Sequence, residues 1–480
     1  MNLLMANREK YKNMEYNSKN IKSGDIFVAL EGANVDGHNY IETAIENGAK
    51  GVIHSKEIVK KEGVDYYLME NLREKLGEIS SEFYGWPQNE IKIIGVTGTN
   101  GKTTITYLLE QILGKENVAR IGTVEYKIGN EVIEAPNTTP ESLDIVKMCK
   151  KIVQKGIKYL VMEVSSHALM LGRVDMLEFD AAIFTNLTPE HLDFHKNMDE
   201  YYLAKRKLFT KLKKGNEKII GKGVINTDDV YGQKYFNEFS GLSYGIESGV
   251  LNGRFFGDSR NIVEINYTDI NNKKYSVKTK INLLGKYNLY NILASIGGAL
   301  SLGYEWDEIM TKVQNLTAAP GRFEIIDCNQ KFTSVVDYAH SADALENLLK
   351  TVKELEFKKI ITVFGCGGDR DKTKRPIMTD VAIKYSDTVI VTADNPRTEK
   401  IEDIIEDMIV NIDRNSVIIE PDREQAIKKA VELANDGEII IVAGKGHEAY
   451  QILGKVKYHF DDREYLRKEI IKKLMKQGRV

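Results

Sequence analysis

Residues 95–104 read Gly-Val-Thr-Gly-Thr-Asn-Gly-Lys-Thr-Thr and follow an apolar run at 91–94. A strand, a glycine-rich turn, a lysine-threonine pair and a helix-forming stretch at 105–113 are together typical of a phosphate-binding loop. Glycines let backbone N–H groups curl round an anion, the lysine reaches the outer phosphates, and a threonine hydroxyl can hold Mg²⁺. The sequence therefore predicts that the protein uses a nucleoside triphosphate.

The loop departs from the usual spacing at one position. The standard pattern places a glycine five residues before Gly101, where this chain has Val96; Gly95 lies one residue earlier and Gly98 interrupts the loop. A glycine-lysine-threonine string also occurs by chance at an ordinary strand–turn–helix junction. The strand before this string and the helix after it favour the phosphate-binding interpretation.

Composition excludes several classes of function. The 480 residues are 42% hydrophobic and 29% charged, with a net charge of −3. These values are ordinary for a globular protein and provide no bulk charge to attract nucleic acid or an anionic membrane. No apolar stretch approaches the roughly 20 residues of a membrane span, and the first residues lack a signal-peptide core. We therefore expect a cytoplasmic protein, and its three dispersed cysteines predict neither disulfides nor a zinc site.

The chain length predicts two to four domains. Residues 1–90 mix short strands with helices, whereas the phosphate-binding loop is followed by further apolar strands at 159–164 and 181–187. After residue 320, strands such as 388–392 alternate with helical stretches such as 423–434, which predicts a parallel, doubly wound sheet. We therefore predict an α/β fold of three domains, at 1–90, 91–320 and 321–480.

Ligands of such sheets bind beyond the carboxyl ends of the strands. Three unusual segments fall at predicted strand ends in the last domain: 365–371 (Gly-Cys-Gly-Gly-Asp-Arg-Asp), 394–397 (Asp-Asn-Pro-Arg) and 444–448 (Gly-Lys-Gly-His-Glu). Taken alone, the segment at 394–397 also fits a strand-exit turn with a solvent-facing arginine.

The central domain carries further candidate residues, each with a structural alternative. Glu163 ends an apolar strand, where it could hold magnesium or cap a helix. His191, Asp193 and His195 are spaced by two, which fits a metal site or ordinary loop and capping chemistry. Lys205 lies in a helical stretch and, taken alone, would be a solvated surface lysine.

These segments belong to an ordered series of motifs that resembles the MurE-type ligases of the Mur ligase family. The form Thr-Gly-Thr-Asn-Gly-Lys-Thr-Thr at 97–104 is that of Mur ligases and folylpolyglutamate synthetases, which form amide bonds with ATP. The similarity to the ligases that add the third residue of the peptidoglycan stem peptide extends from about residue 22 to residue 463. The matching motifs are Val-Ser-Ser-His (164–167), Thr-Asn-Leu (185–187), Asn-Thr-Asp-Asp (226–229), Leu-Gly-Lys-Tyr-Asn (284–288), Pro-Gly-Arg-Phe-Glu (320–324), Asp-Tyr-Ala-His (337–340), Phe-Gly-Cys-Gly-Gly-Asp-Arg-Asp (364–371) and Gly-Lys-Gly-His-Glu (444–448).

The resemblance implies a reaction in two steps. The γ-phosphate of ATP goes to a carboxylate of UDP-N-acetylmuramoyl-L-alanyl-D-glutamate (UDP-MurNAc-L-Ala-D-Glu), and an amino acid then attacks the acyl phosphate. It also implies a UDP-binding N-terminal domain, a central ATP-binding domain and a Rossmann-like C-terminal domain for the amino acid. ATP and Mg²⁺ are the implied co-substrate and cofactor, and small molecules are the implied partners, without nucleic acid or membrane insertion.

The resemblance also assigns residues to ATP and magnesium. Lys102, Glu163, His191 and Lys205 would be catalytic, and Lys205 would be carbamylated, which converts an ammonium into an anion that can bind magnesium. Thr103 and Glu163 would hold one magnesium ion and His191 a second, and the carbamate of Lys205 would also be a metal ligand. The ATP contacts would be Gly98, Thr99, Asn100, Gly101, Lys102, Thr103, Thr104, Asn291, Arg322 and Asp337.

The substrate contacts implied by the resemblance lie in all three domains. Ser18, Thr138, Thr139, Ser165 and Arg173 match positions that hold the UDP-MurNAc-peptide. The family usually has Asp-Ser-Arg at the first of these positions, whereas this chain has Asn-Ser-Lys at 17–19 and so lacks the forked arginine.

The amino-acid pocket would consist of Arg370, Asp394, Asn395, Arg397, Gly444 and Glu448. The Asp-Asn-Pro-Arg motif resembles that of ligases adding meso-diaminopimelate, and L-lysine-adding relatives typically lack this arginine. The physical reason is that diaminopimelate is lysine with an extra carboxylate, which a guanidinium can grip through two hydrogen bonds. An isosteric diacid such as meso-lanthionine would satisfy the same groups.

Three alternatives remain open on the sequence. The first is an L-lysine-adding ligase of the same fold, against which Arg397 argues. The second is a folylpolyglutamate synthetase, which is disfavoured by the uridine-type first domain. The third is a P-loop switch or transport ATPase, which leaves the motifs of the third domain unexplained.

Overall fold

The computed structural model describes residues 1–32, 35–190, 194–215, 218–219, 222–257, 261–410 and 412–478. The chain divides into two compact units. The first unit comprises Met1–Gly253, Ile265–Val277 and Tyr290–Lys312, and the second comprises Arg254–Glu264, Lys278–Leu289 and Val313–Val480.

The first unit begins with a small parallel sheet. Its strands are hydrogen-bonded in chain order and are β1 (Met14–Glu15), β2 (Ile26–Val28), β3 (Gly51–His54) and β4 (Asp65–Leu68). Side chains alternate across a strand, so Ile26 and Val28 join one hydrophobic core while Phe27 joins another. The helices of this region are α1 (Asn2–Ala6), α2 (Ile41–Glu46) and α3 (Leu72–Tyr84).

A larger sheet follows in the same unit and carries the phosphate-binding loop. The strands from residue 91 onward are β5 (Lys92–Thr97), β6 (Val118–Ile121), β7 (Glu125–Ile128), β8 (Glu131–Glu134), β9 (Tyr159–Glu163), β10 (Ala181–Phe184), β11 (Lys214–Gly215), β12 (Lys218–Ile219), β13 (Lys222–Asn226), β14 (Leu242–Gly245), β15 (Leu251–Phe255), β16 (Ile262–Thr268) and β17 (Lys274–Lys280). Part of the sheet runs in the order β14-β13-β10-β5-β9-β6-β7-β8. These strands are parallel from β14 to β6, and the pairs β6–β7 and β7–β8 are antiparallel.

Helices pack round this parallel sheet because its strands are apolar on both faces. In β5, every residue after Lys92 is buried. The helices are α4 (Lys102–Leu113), α5 (Ser142–Gln154), α6 (Ser166–Met170), α7 (Met198–Thr210), α8 (Val230–Phe239), α9 (Lys286–Ser301) and α10 (Trp306–Val313).

The second unit contains a six-stranded sheet in the order β18-β19-β23-β20-β21-β22, formed by β18 (Glu324–Ile325), β19 (Thr333–Asp337), β20 (Ile360–Cys366), β21 (Thr388–Ala393), β22 (Ile418–Ile419) and β23 (Ile439–Ala443). All its pairs are parallel except β18–β19. Alternate residues of β23 enter different cores, Ile439 and Ile441 on one face and Ile440 and Val442 on the other. Both faces are therefore covered, which confirms the predicted doubly wound sheet.

The remaining elements of this unit are α11 (Ala342–Glu354), α12 (Lys374–Tyr385), α13 (Ile401–Ile409), α14 (Arg423–Leu433), α15 (Asp462–Lys476) and a hairpin of β24 (Tyr450–Leu453) and β25 (Val456–His459). Short 3₁₀ helices span Arg8–Lys10, Ser18–Asn20, Gly37–Tyr40, Pro87–Glu90 and Arg414–Ser416. Among the helices in the described ranges, none is long and apolar enough to cross a membrane. The predicted α/β class is confirmed, whereas the domain boundaries near residues 90 and 320 stay predictions.

Candidate active site

The loop between β5 and α4 has a backbone that only glycine adopts easily. Gly98 has φ of +142° and Gly101, which precedes α4, has φ of +89°. A Cβ on Gly98 would overlap the hydroxyl of Thr185, and one on Gly101 would overlap the side-chain oxygen of Asn291. The structure therefore brings Asn291, a predicted ATP contact, against the phosphate-binding loop.

A neighbouring segment after β10 fixes the shape of the loop. Thr185 Oγ1 donates to the carbonyl of Asn100 at 2.7 Å, and the N–H of Asn100 donates to Asn186 Oδ1 at 3.0 Å. The N–H of Thr99 donates to the carbonyl of Asn186 at 2.8 Å. The Thr-Asn-Leu motif at 185–187 is recognisable in the sequence, but the role of Thr185 and Asn186 is not, because it depends on the side-by-side pairing of β5 and β10.

Two lysines converge on this loop. Lys102 Nζ donates to the carbonyl oxygens of Gly98, at 2.9 Å, and Thr99, at 2.6 Å. Lys205 Nζ, from α7, donates to the same Gly98 oxygen at 2.8 Å and lies 4.4 Å from the centre of the Tyr201 ring. Lys205 is only 1% exposed, so the alternative of a solvated surface lysine is wrong.

The environment of Lys205 disfavours a protonated amine. Burial and the nearby charge of Lys102 hold the pKa of Lys205 well below its usual range, whereas Glu190 raises it. Removing a charged group from water favours its neutral form. A neutral amine is the form that can react with carbon dioxide to give a carbamate.

Glu163 ends β9, and its register partner is Val96 of β5. The carboxylate is 1% exposed and accepts hydrogen bonds from the N–H of Thr123, at 2.9 Å, and its hydroxyl, at 3.0 Å. Within the described ranges it forms no ion pair. A Cβ on Gly122 would overlap Glu163 Oε1, so only a glycine fits where the backbone passes this carboxylate.

The donor set around Glu163 fits a magnesium ion. Thr103, at the start of α4, is 7% exposed and supplies a hydroxyl, and Mg²⁺ prefers hydroxyl and carboxylate oxygens. A buried carboxylate without a cationic partner is costly, and a divalent cation would relieve that cost. The described residues contain no cluster of three or more His, Cys, Asp or Glu side chains that could hold a metal alone.

Two of the three residues in the His–Asp–His spacing lie beyond the described ranges. His191, a predicted magnesium ligand, and Asp193 are outside the described residues. The third, His195, is buried, and its Nε2 is 2.8 Å from the hydroxyl of Ser166.

Four predicted substrate contacts form one hydrogen-bonded cluster beside Glu163. Thr138 Oγ1 is 3.1 Å from Thr123 Oγ1, and Thr139 Oγ1 donates to the backbone carbonyl of Glu163 at 2.8 Å. The N–H of Ser165 donates to Thr139 Oγ1, and Arg173 donates to the Thr139 carbonyl at 3.0 Å. Residues far apart in the sequence therefore meet beside the carboxyl end of β9.

Ser18 lies apart from that cluster. It begins a 3₁₀ helix, it is buried, and its carbonyl accepts a hydrogen bond from Asn47 Nδ2 at 2.9 Å. Within the described part of the chain, it makes no hydrogen bond to the other four predicted contacts. Asn17, which replaces the family's aspartate, caps this helix by accepting from the N–H of Lys19 at 3.1 Å.

The remaining ATP candidates lie in the second unit. Asp337 ends β19, and its carboxylate accepts from the N–H groups of Phe323, at 2.7 Å, and Ala339, at 2.8 Å. Burial raises the pKa of Asp337, and the charge of Arg322 opposes that rise. Arg322 itself lies 5.0 Å from the centre of the Tyr338 ring.

The predicted amino-acid pocket forms at the carboxyl ends of β21 and β23. Asn395 Nδ2 donates to Glu448 Oε2 at 2.8 Å. Gly444 has φ of +115°, and a Cβ there would lie 2.8 Å from Asp394 Oδ2. The strands β21 and β23, which flank β20 in the sheet, thus bring two carboxylates, the chemistry needed to bind an ammonium group, to one edge of the sheet.

Arginine side chains lie at the same edge. Arg397 has a left-handed backbone, with φ of +53°, and donates through NH1 to the carbonyl of Gly368 at 2.8 Å. Its N–H donates to the carbonyl of Ile452 in β24 at 3.0 Å. Arg370 is exposed and donates to the carbonyl of Asp369 at 3.1 Å. The pocket therefore carries groups for a carboxylate as well as for an ammonium.

Together the fold and these residues are those expected of one class of protein, the phosphate-loop ligases. Matches to known families agree with that class. The chain matches the Mur ligase middle domain over residues 96–299, the glutamate ligase domain of Mur ligases over 321–446 and the Mur ligase family catalytic domain over 10–84.

Relatives match over nearly the whole chain. The UDP-N-acetylmuramoyl-L-alanyl-D-glutamate–2,6-diaminopimelate ligase of Fusobacterium nucleatum is 51% identical, covering 97% of this chain and 95% of its own length. The enzyme of the same name from Clostridium botulinum is 43% identical, covering 98% and 97%. The chain belongs to the Mur ligase family, and the predicted resemblance to its MurE type is confirmed.

Solved structures support the same architecture. A UDP-N-acetylmuramoyl-L-alanyl-D-glutamate–2,6-diaminopimelate ligase superposes with a TM-score of 0.69 at 31% identity, covering 96% of this chain and 95% of that one. MurF ligase from Thermotoga maritima in complex with ADP gives a TM-score of 0.65 at 20% identity, covering 97% and 98%, and so shows a shared fold. The predicted three-domain α/β class is confirmed, and the protein is an ATP-dependent ligase.

Proposed function

We propose that the protein joins meso-2,6-diaminopimelate, or an isosteric diamino diacid such as meso-lanthionine, to the γ-carboxylate of the D-glutamyl residue in UDP-MurNAc-L-Ala-D-Glu. The products are the UDP-MurNAc-tripeptide, ADP and phosphate, in the synthesis of peptidoglycan precursors. The observation that carries this proposal is the full-length similarity to diaminopimelate ligases. Because ATP and UDP-linked precursors are cytoplasmic metabolites, the cytoplasm is the proposed location.

The first step is transfer of the γ-phosphoryl group to the substrate carboxylate. A carboxylate oxygen attacks the γ-phosphorus, the bond to the β-phosphate oxygen breaks, and ADP leaves. Both reactants are anions, so the step needs cations and N–H donors. We assign these roles to Lys102, to the backbone N–H groups of 98–104 and to the N-terminus of α4, with Asn291, Arg322 and Asp337 as further ATP contacts.

Magnesium would neutralise the phosphate charge and orient the phosphoryl group. We assign Thr103 and Glu163 to one magnesium ion and His191 to a second, with a carbamate on Lys205 as a further metal ligand. The buried Glu163 carboxylate, which has no cationic partner among the described residues, supports this assignment, as does the lowered pKa of the Lys205 amine.

The second step is attack of the amino group on the acyl phosphate. The amine nitrogen bonds to the carbonyl carbon, a tetrahedral intermediate forms, phosphate leaves, and the nitrogen loses a proton. We assign Thr138, Thr139, Ser165 and Arg173 to the peptide arm of the UDP substrate, with Ser18 at its UDP end.

The diamino acid would lie in the second unit. Asp394 and Glu448 would bind its distal ammonium, with Asn395 holding Glu448, while Arg370 and Arg397 would bind its distal carboxylate through charge-assisted hydrogen bonds. Gly444 would leave room for the ligand beside Asp394. We also propose three domains, at 1–90, 91–320 and 321–480, for the UDP substrate, ATP and the amino acid respectively.

The deciding experiment is phosphate release with ATP, Mg²⁺ and UDP-MurNAc-L-Ala-D-Glu, comparing meso-diaminopimelate, meso-lanthionine and L-lysine. Turnover with a diacid and not with lysine is expected. Turnover with lysine alone would keep the family and overturn the specificity. Phosphate release without any amino acid would favour a P-loop ATPase instead.

A further inference from the structure

Lys445 is a buried lysine to which neither the sequence motifs nor the proposed mechanism gives a role. It lies between Gly444 and Gly446, directly after β23, and its side chain is 0% exposed. Burying an ammonium is costly unless partners replace the water that it loses. The identity of those partners therefore indicates what the lysine does.

All its described partners belong to the predicted amino-acid pocket or to β24 beside it. Lys445 Nζ donates to the carbonyl of Tyr450 and to Asn395 Oδ1, the latter at 3.3 Å. It also lies 3.5 Å from Glu448 Oε2. Lys445 thus touches two of the six residues that we assign to the diamino acid.

These contacts set the orientation of the Asn395 amide. Its Oδ1 accepts from Lys445 and, at 2.9 Å, from the N–H of Ile452. Its Nδ2 consequently donates to Glu448 Oε2 at 2.8 Å. A flipped amide would place NH₂ against an ammonium and a backbone N–H, and its oxygen against a carboxylate, which the donor and acceptor chemistry forbids.

The arrangement also fixes which oxygen of Glu448 is available. Oε2 is held by Asn395 and Lys445, whereas Oε1 has no hydrogen-bond partner among the residues that the structure describes. The Glu448 side chain is 18% exposed, so the carboxylate is partly accessible to a ligand. A carboxylate held at one oxygen presents the other in a fixed direction, which reduces the entropy lost on binding a cation.

We infer that Lys445 is a positioning residue for the incoming diamino acid, which acts directly and through Asn395 to hold Glu448 toward the ammonium of the substrate. The inference rests on the proposed function and adds a residue to it. Lys445 is fully buried and contacts both Asn395 and Glu448, so its removal should weaken amino-acid binding selectively.

The test compares Lys445→Met with wild type and with Lys455→Met, an exposed lysine in the nearby β24–β25 turn. The Michaelis constants for meso-diaminopimelate, ATP and UDP-MurNAc-L-Ala-D-Glu are measured together with the melting temperature. In Lys445→Met we expect the constant for the amino acid to rise at least about tenfold, with the other two within about twofold; Lys455→Met should match wild type. Equal rises for all three substrates, or no rise at all, would overturn the inference.

A second variant keeps the test decisive if Lys445→Met folds poorly. Asn395→Asp has the same size but places an oxygen against Glu448, so the Michaelis constant of this variant for the amino acid should rise; an unchanged value contradicts the inference. A wild-type enzyme inactive with every amino acid would instead refute the proposed function, and this inference with it.

Discussion

The side-chain amines of Lys102 and Lys205 donate to one and the same oxygen, the carbonyl of Gly98, at 2.9 and 2.8 Å. Burial, together with the repulsion that a protonated Lys205 would feel from Lys102, lowers the pKa of Lys205. Binding of a polyanion, or conversion of Lys205 to an anion, would relieve the repulsion.

The first prediction concerns Gly98. We expect Gly98→Ala to lower kcat/KM for ATP by about 10²-fold, because the new Cβ overlaps Thr185 and the backbone φ of +142° disfavours alanine. Gly63→Ala is the matched control, since Gly63 also has positive φ but no heavy atom within 4 Å of the place that a Cβ would take. Initial-rate kinetics measure kcat/KM for ATP in both variants. Equal values would show that the loop tolerates a methyl side chain at position 98.

The second prediction concerns magnesium. Glu163→Gln keeps the shape of the side chain but removes the charge, so the Mg²⁺ concentration for half-maximal activity should rise at least about tenfold. Glu62→Gln, at an exposed position, serves as the control. Titration of activity with Mg²⁺ measures the shift, and an unchanged midpoint would rule out Glu163 as a ligand.

The third prediction follows from the buried amine of Lys205. Because its folded-state pKa is lowered, the unfolded state binds more protons between that pKa and the usual value of about 10.4. In carbon dioxide-depleted buffer, the free energy of unfolding of wild type should therefore rise with pH through that window, relative to Lys205→Met. Urea denaturation at several pH values measures the difference, and parallel curves would contradict a lowered pKa.

The activity of Lys205 variants tests the carbamate separately. Lys205→Ala should lose turnover and regain part of it with short-chain carboxylates such as formate or acetate, which can replace the missing anion. Lys207→Ala, on the same helix, should need no rescue. Full activity of Lys205→Ala without added carboxylate would exclude the role.

The fourth prediction concerns specificity. Arg397→Ala should raise the Michaelis constant for the diacid by about 10- to 100-fold, because it removes a charge-assisted pair with a carboxylate. The constant for ATP should change little. Arg414→Ala, at an exposed ion pair with Glu406, is the control. Equal rises for both substrates would make Arg397 a structural residue, which its hydrogen bond to Gly368 also allows.

The fifth prediction concerns stability. Arg423 and Asp462 form a fully buried pair, and Arg423 also donates to the carbonyls of Ala393 and Ala443, at 3.1 and 3.0 Å. Arg423→Leu leaves a buried carboxylate unpaired, so unfolding should become easier by about 3–5 kcal/mol. The exposed ion pair of Arg414 should contribute at most about 1 kcal/mol, so Arg414→Ala serves as the control. If denaturant unfolding showed equal losses of unfolding free energy in Arg423→Leu and Arg414→Ala, the prediction would be wrong.

Much of the secondary structure can be predicted from the local pattern of hydrophobic and capping residues. The predicted strand at 388–392 is β21 (Thr388–Ala393), and the helix predicted to begin at Arg423 is α14 (Arg423–Leu433). Such elements are predictable because hydrophobic period and capping act over a few residues. Lys205 shows the limit of this reasoning: its helical neighbours predict exposure, yet packing against the phosphate-binding loop buries it.

The sequence by itself determined the phosphate-binding loop, the α/β class and the family, since these depend on residue types at short, fixed spacings. Only the tertiary structure decided that Lys205 shares an acceptor with Lys102, that Thr185 and Asn186 brace the loop, and that Lys445 orients Asn395. Each of these contacts joins segments far apart in the chain. They form because parallel strands bring distant residues to one edge of a sheet, where burial leaves few arrangements that satisfy every donor and acceptor.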